Sequence, residues 1–138
     1  MEIRTFVESD EPGVIALWQS CDLTRPWNDP KRDIVRKLQI QRELFLVGCV
    51  DDKVVASVMA GYEGHRGWVN YLAVDPALQG RGFGAKLLRR VEELLLERGC
   101  PKINLQVRAS NTSVIEFYHR LGYVNDAVVS LGKRLIPD

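Results

Sequence analysis

Three glycines stand at alternate positions in Val74-Asp75-Pro76-Ala77-Leu78-Gln79-Gly80-Arg81-Gly82-Phe83-Gly84. The segment lies between an apolar run and a stretch of helical periodicity. Glycine admits left-handed backbone and removes side chains that keep a ligand away from peptide amides. The first amides of a helix have no internal partners and carry the positive end of its dipole, so such a start suits an anion, most often a phosphate. The charges agree. Arg81, Lys86, Arg89 and Arg90 crowd the beginning of the following helix, and Glu92, Glu93 and Glu97 come later. A helix stabilising only itself favours the reverse order. A glycine turn feeding a solvated helix face accounts for the same residues. No GxxxxGK[ST] phosphate loop is present. A dinucleotide fingerprint begun at Gly80 reaches Ala85, but the next run, Lys102 to Val107, ends without the acid that would hold a ribose.

Something must position that loop, and the apolar periodicity shows what. Ile3 to Phe6 alternates as a first strand. Ser9 or Asp10 can cap a helix from Glu11 to about Cys21, with Val14, Ile15, Leu17, Trp18 and Cys21 on one face. Asp29 caps a second helix with Pro30 at its first position and Ile34, Val35 and Leu38 as the inner stripe. Leu44 to Val50, Val54 to Tyr62 and Trp68 to Val74 read as three strands joined by turns at 51–53 and 63–67. Phe83, Leu87, Leu88, Val91, Leu94 and Leu95 mark a long helix that Gly99 stops and Pro101 forbids to continue. Ile103 to Val107 alternates as a strand. Asn111 or Thr112 opens a last helix that Gly122 ends, and Tyr123 to Leu135 is expected to hold one or two final strands. The strand–helix–strand unit around the loop must be a right-handed crossover.

Gln79-Gly80-Arg81-Gly82-Phe83-Gly84 matches the pattern Q/R-x-x-G-x-G/A, preceded by Leu72-Ala73-Val74-Asp75-Pro76. Asn111, Phe117-Tyr118 and Leu121-Gly122-Tyr123 match a second pattern, N-x-x-a-x-x-F/L-Y-x-x-L-G-F/Y, one helix and one strand later. On these two signatures the chain resembles the GNAT N-acetyltransferase superfamily over nearly its whole length. Arg25-Pro26-Trp27-Asn28-Asp29-Pro30 and Ser130-Leu131-Gly132-Lys133-Arg134-Leu135 further resemble its YpeA-type bacterial branch. The resemblance implies an α/β (α+β) fold: one GNAT-type domain over 1–138, with a mixed central sheet of six or seven strands flanked by about four helices. It implies acetyl-coenzyme A as donor. Amides of Gln79, Gly80, Arg81, Gly82, Phe83 and Gly84 would hold the pyrophosphate. The Leu72-Ala73-Val74 stretch would bond the pantetheine like an added strand, and Asn111 would contact it from the other side. A bulge in the fourth strand would open the gap for the thioester, and the Leu72 amide would stabilise the carbonyl oxygen as charge develops.

Acetyl transfer to an amine needs a neutral amine, a stabilised oxygen and a proton for the leaving thiolate. Tyr118 matches the tyrosine that serves the family as acid, and a phenol with a pKa near 10 keeps its proton at neutral pH. A packed tyrosine on an amphipathic helix is the plain alternative. No acid lies in Trp68-Val69-Asn70-Tyr71-Leu72, where many family members carry a glutamate. Glu63, on the neighbouring strand, is the candidate base. His65 is roughly 20 Å or more from Leu72 along an extended chain at about 3.3 Å per residue. His119 belongs to another helix face than Tyr118. Loss of the amine proton to water is the default. The loop from Asp22 to Asp29 is expected to border the acceptor cleft, with Trp27 for an apolar acceptor and Asp22 or Asp29 for an ammonium. Helix caps and a buried tryptophan explain the same residues.

Composition bounds the rest. The chain has 138 residues, 19 Lys and Arg against 18 Asp and Glu, and 46% hydrophobic residues. That balance of +1 gives no general attraction to nucleic acid or to an anionic membrane. No apolar run approaches a membrane span or a signal-peptide core, so a cytoplasmic location is expected. Cys21, Cys49 and Cys100 form no CxxC pair and read as small core hydrophobes. No ligand cluster for a metal is expected. The expected partner is a small-molecule or protein amine, with no nucleic acid and no membrane. A terminal strand would permit a homodimer. The rival to an enzyme is a module that binds acetyl-coenzyme A without turnover, which the acid-free fourth strand keeps open.

Overall fold

The computed structural model describes residues 1–138. Contacts divide the chain into two compact units, Met1–Asn104 with Asp138, and Leu105–Pro137. The first is built on β1 (Glu2–Thr5), α1 (Glu11–Ser20), α2 (Pro30–Leu38), β2 (Phe45–Val50), β3 (Lys53–Tyr62), β4 (Gly67–Val74) and α3 (Phe83–Glu97). β5 (Ile103–Leu105) runs to the boundary, and α4 (Thr112–Arg120) belongs to the second unit. The five strands lie in the order β1-β2-β3-β4-β5, with β1 through β4 successively antiparallel.

The apolar β2 and the centre of β3, Val55 to Ala60, are buried because helices cover both faces of the sheet. Ser57 and Met59 turn towards α1 and α2, where Phe6, Val14, Leu17, Trp18, Ile34, Phe45, Val47 and Ala73 complete one core. On the other face α3 buries Gly84, Leu87, Leu88, Val91 and Leu95, a helical stripe spaced by three, four and seven. Asp29 caps α2 by accepting from Lys31 N at 2.9 Å. Asp10 does not cap α1. Its carboxylate pairs with Arg4 at 2.7 and 2.9 Å and accepts from Val7 N, and the Arg4 bond holds it below the usual carboxylate range.

β3 outruns β2, whose pairing ends at Phe45 opposite Met59. The bare edge beyond is covered by side chains. The Gln41 amide donates to Tyr62 O and accepts from Tyr62 N, both at 2.8 Å, and Lys37 Nζ donates to Ala60 O at 2.5 Å.

Two sequence expectations are corrected. Val35 is 54% exposed, since the α2 face that meets the core runs through Ile34 and Leu38, one turn apart, and Val35 lies off it. Residues 123–135 form no strand, so the sheet has five strands rather than six or seven. Within that stretch Asn125 Oδ1 accepts from Ala127 N at 2.7 Å and Ala127 takes φ +57°, a side-chain turn that breaks the extended run. Val124, Val128, Val129 and Leu131 remain exposed.

Candidate functional site

The chain leaves β4 through a distortion. Ser57 faces Ala73 and Met59 faces Asn70, so Val58 alone opposes both Tyr71 and Leu72. This bulge shifts the phase of the strand. Asn70 and Ala73, three apart, turn to the same face, and Leu72 falls where a straight strand would not place it. Tyr71 sits at φ +54°. Left-handed backbone with a Cβ costs roughly 1–2 kcal/mol, so surrounding contacts must hold it.

They do so from three sides. The Tyr71 ring stacks on Trp18 with centroids 3.9 Å apart and planes within 13°. Its hydroxyl donates to Asp33 Oδ2 at 2.6 Å and accepts from Asn28 Nδ2 at 3.1 Å. Its carbonyl accepts from Ser57 Oγ at 3.3 Å, while Ser57 Oγ accepts from Trp18 Nε1 at 2.9 Å. A hydrogen bond to a charged group contributes about 1.5–3 kcal/mol, enough to offset the strain. Burial first, and the Asp33 bond second, push the Tyr71 phenol well above its ordinary range.

The loop after β4 is open where the bulge is crowded. Asp75 Oδ1 accepts from Ala77 N at 2.9 Å and shapes its first turn. Gln79 Nε2 donates to Val74 O at 3.1 Å, and Cys21 Sγ donates to the same carbonyl at 3.2 Å. Gly80 and Gly82 take φ +82° and +81°, and a Cβ added at either would meet nothing within 4 Å. Gly82 immediately precedes α3, and the amides that follow it begin the helix with no carbonyl one turn back. Unobstructed backbone at a helix start can receive a phosphate group. Gly84 is different. It is the second residue of α3 and is buried, with its amide still in the unpartnered first turn.

Leu72, Ala73, Val74 and Gln79 through Gly84 thus form one continuous path in the first unit. Glu63 stands in the β3–β4 turn, where its carboxylate accepts from the amides of His65, at 3.0 Å, and Arg66. It also lines a cavity of about 290 Å³ together with Lys37, Met59, Tyr62, Trp68 and Asn70. Burial lowers the Lys37 ammonium from its ordinary range. His65 is exposed, as is Trp27 at 56%, so no buried tryptophan occupies the 22–29 loop.

Asn111 and Tyr118 belong to the second unit. Asn111 precedes α4 and accepts from Ile115 N through its carbonyl at 3.1 Å. Tyr118 is buried between two rings, Phe117 at 5.1 Å and Tyr123 at 5.6 Å, both edge-on. Gly122 at φ +93° ends the helix and lets Tyr123 N reach Tyr118 O at 3.0 Å. Burial pushes the Tyr118 phenol up to about 12, so it is fully protonated at neutral pH. His119 is exposed. Cys49 and Cys100 are buried and Cys21 half-buried, all three as free thiols. No group of three or more His, Cys, Asp or Glu side chains is placed to hold a metal ion, and no helix is long and apolar enough to cross a membrane.

Sequence reasoning missed Tyr71, Asp33 and Asn28. The resemblance implied a bulge in this strand, but no residue type in Trp68-Val69-Asn70-Tyr71-Leu72 marks where it falls.

The chain is similar to proteins of one enzyme class. Residues 14–123 match the model of the acetyltransferase (GNAT) family. An acetyltransferase of Yersinia enterocolitica, YE1169, is 54% identical over 138 residues, covering 100% of this chain and 98% of the relative. Acetyltransferase SG1711 of Sodalis glossinidius is likewise 54% identical, over 139 residues, with the same coverage. The crystal structure of Ard1 from Thermoplasma volcanium superposes with a TM-score of 0.81 at 26% identity, covering 89% of this chain and 82% of that one. The chain belongs to the GNAT acetyltransferase family and is an N-acetyltransferase.

Proposed function

We propose that this acetyltransferase takes its acetyl group from acetyl-coenzyme A and passes it to a primary amine, on a small molecule or a protein, by direct attack. The observation that carries the reading is the pair of left-handed glycines, Gly80 and Gly82, opening on empty space at the start of α3. Backbone from Gln79 to Gly84 would hold the pyrophosphate of the substrate, Leu72 to Val74 its pantetheine arm, and Asn111 would touch the arm as well. The Val74 carbonyl already accepts from Cys21 and Gln79, so the arm would meet the Val74 amide. Residues 1–138 act as one acetyltransferase domain in this reading, supported by a family match that runs through both units. The cytoplasm suits three free thiols.

The chemistry balances simply. The amine nitrogen bonds the thioester carbon, the carbon–sulfur bond breaks, and the sulfur takes a proton. The Leu72 amide would stabilise the oxygen as charge develops. Tyr118, a phenol protonated at neutral pH and held further from ionisation by burial, would supply the proton to sulfur. The amine would lose its own proton to water or to Glu63, the one carboxylate lining the cavity beside β4. That cavity, walled by Met59, Tyr62 and Trp68, is the expected seat of the acceptor's body, and its lining residue Asn70 directly precedes the bulge.

Thiol release from acetyl-coenzyme A across a panel of amines tests the whole reading, which fails if no amine accelerates release. On a working acceptor, Tyr118→Phe keeps the packing and removes the proton, so kcat should fall about tenfold or more while coenzyme affinity stays within about threefold. Parent-like turnover would leave Tyr118 as a packed side chain. Glu63→Gln separates the bases, because a general base contributes about 10²–10⁴-fold and a smaller loss assigns the proton to water.

A further inference from the structure

Positive φ at a bulge is ordinarily met with glycine or asparagine. Here a tyrosine takes it, and every part of that tyrosine is engaged: the ring by Trp18, the hydroxyl by Asp33 and Asn28, the carbonyl by Ser57. Asn28 Nδ2 also donates to Asp33 Oδ2 at 2.5 Å, so Asn28 and the Tyr71 hydroxyl share one Asp33 oxygen. A strained conformation persists only where its surroundings over-determine it, and such places cluster at functional sites.

We infer that Tyr71, clamped by Asp33 of α2 and Asn28 of the α1–α2 loop, is the positioning residue that holds the β4 bulge and thereby aims the Leu72 amide. The catalytic side of this inference rests on the acetyl-transfer reading above. The conformational side does not. Tyr71 touches no reacting atom. It acts through the backbone of its neighbour, and Asp33 acts through Tyr71. The clamp also joins α2 and the loop before it to the strand that presents the amide, so the acceptor side and the donor side are built on one hydrogen-bonded group.

Comparing alanine with glycine at position 71 isolates the backbone. Both substitutions remove the ring and the hydroxyl. Only glycine tolerates the left-handed conformation without strain. If the side chain exists to hold the bulge, Tyr71→Gly should keep the positive φ and Tyr71→Ala should lose it. The angle is read by NMR from the coupling between the residue 71 amide and α protons and from its carbon shifts. With acetyl-coenzyme A and the best amine of the panel, kcat of the glycine variant should exceed that of the alanine variant about tenfold, at coenzyme A affinities within about threefold of each other. Tyr71→Phe, which keeps the stack and loses the Asp33 bond, should fold and fall between parent and alanine. A tyrosine that only fills space would leave kcat of the two folded variants equal, although the alanine variant would be the less stable because alanine strains at positive φ. The inference is overturned if the alanine variant retains positive φ, if glycine turns over no faster than alanine, or if Tyr71→Phe matches the parent. Should no amine be acetylated by the parent, the acetyl-transfer reading fails by itself, and the NMR comparison still decides the clamp.

Discussion

Two left-handed stretches of backbone lie along one path from β4 into α3, and they are kept by opposite means. At Tyr71 the conformation is forced, with a ring, a hydroxyl and a carbonyl each gripped by a neighbour. At Gly80 and Gly82 it is merely allowed, with nothing within 4 Å of where a side chain would begin. In the proposed function the difference follows from what each place would present. A single amide aimed at one atom needs backbone that cannot drift. A row of amides around a charged group needs access, and the ligand itself supplies the order when it arrives. Crowding gives direction, and emptiness gives room.

The sharpest way to break the forced half is Trp18→Ala. It removes a side chain that is 0% exposed and that supports both the Tyr71 ring and Ser57. A loss of about 3–5 kcal/mol in urea unfolding is expected, and a loss below about 1 kcal/mol would mean that the stack does not carry the bulge. The open half breaks at Gly82→Val, where a β-branched residue meets φ +81°. Coenzyme A affinity measured by calorimetry should fall at least tenfold, about 1.4 kcal/mol, with the circular dichroism spectrum retained. An unchanged affinity would remove the loop from the site.

Alkaline pH acts on two buried phenols, Tyr71 at the bulge and Tyr118 in the second unit. Burial raises the folded-state phenol of Tyr118 from 10 to about 12, and burial with the Asp33 bond raises that of Tyr71 further. Each folded pKa lies above its unfolded value. The associated stability is therefore complete below pH 10 and is lost as pH rises beyond it, with a slope of at most about 1.4 kcal/mol per pH unit for each group. Tyr71→Phe should flatten this decline in denaturant titrations. A parallel decline in parent and variant would show that Tyr71 ionises freely. The smallest expected effect is at Gly80→Asn. Asparagine accepts left-handed backbone, so stability should change by only a few tenths of a kcal/mol, while the added side chain stands in the cradle and weakens coenzyme binding severalfold. Unaltered binding would place Gly80 outside the contact.

The same contrast explains which parts were readable from residue types. Glycines at 80 and 82 announce their conformation, because the residue chosen is the one that the backbone demands. The stripe Leu87, Leu88, Val91 and Leu95 announces α3, because burial of one face repeats at the helical period. The bulge is silent. Tyr71 in an apolar strand looks like any β-forming aromatic, and its strain is offset by Asp33, 38 positions away in sequence. The residues after Tyr123 mislead in the other direction. Val128 and Val129 have strand propensity, but a strand also needs a partner, and the Asn125 turn sends the chain elsewhere. Val35 was placed inside because an apolar residue beside Ile34 fits a loose stripe, whereas the i, i+4 geometry admits Ile34 and Leu38 only. Tyr118 was legible as a residue within a pattern, and its burial between Phe117 and Tyr123 follows from the helix stop at Gly122.

The amide of Gln41 on the outer edge of β3 has a consequence for how the protein behaves in a crowded solution. An open strand edge is a template on which another chain can extend the sheet, the first step towards amyloid-like assembly. At Tyr62 that edge is already hydrogen-bonded by a side chain that cannot propagate the ladder, and at Ala60 by a lysine whose charge repels a second copy of the same surface. The hairpin that borders the cavity can therefore stay exposed without becoming adhesive.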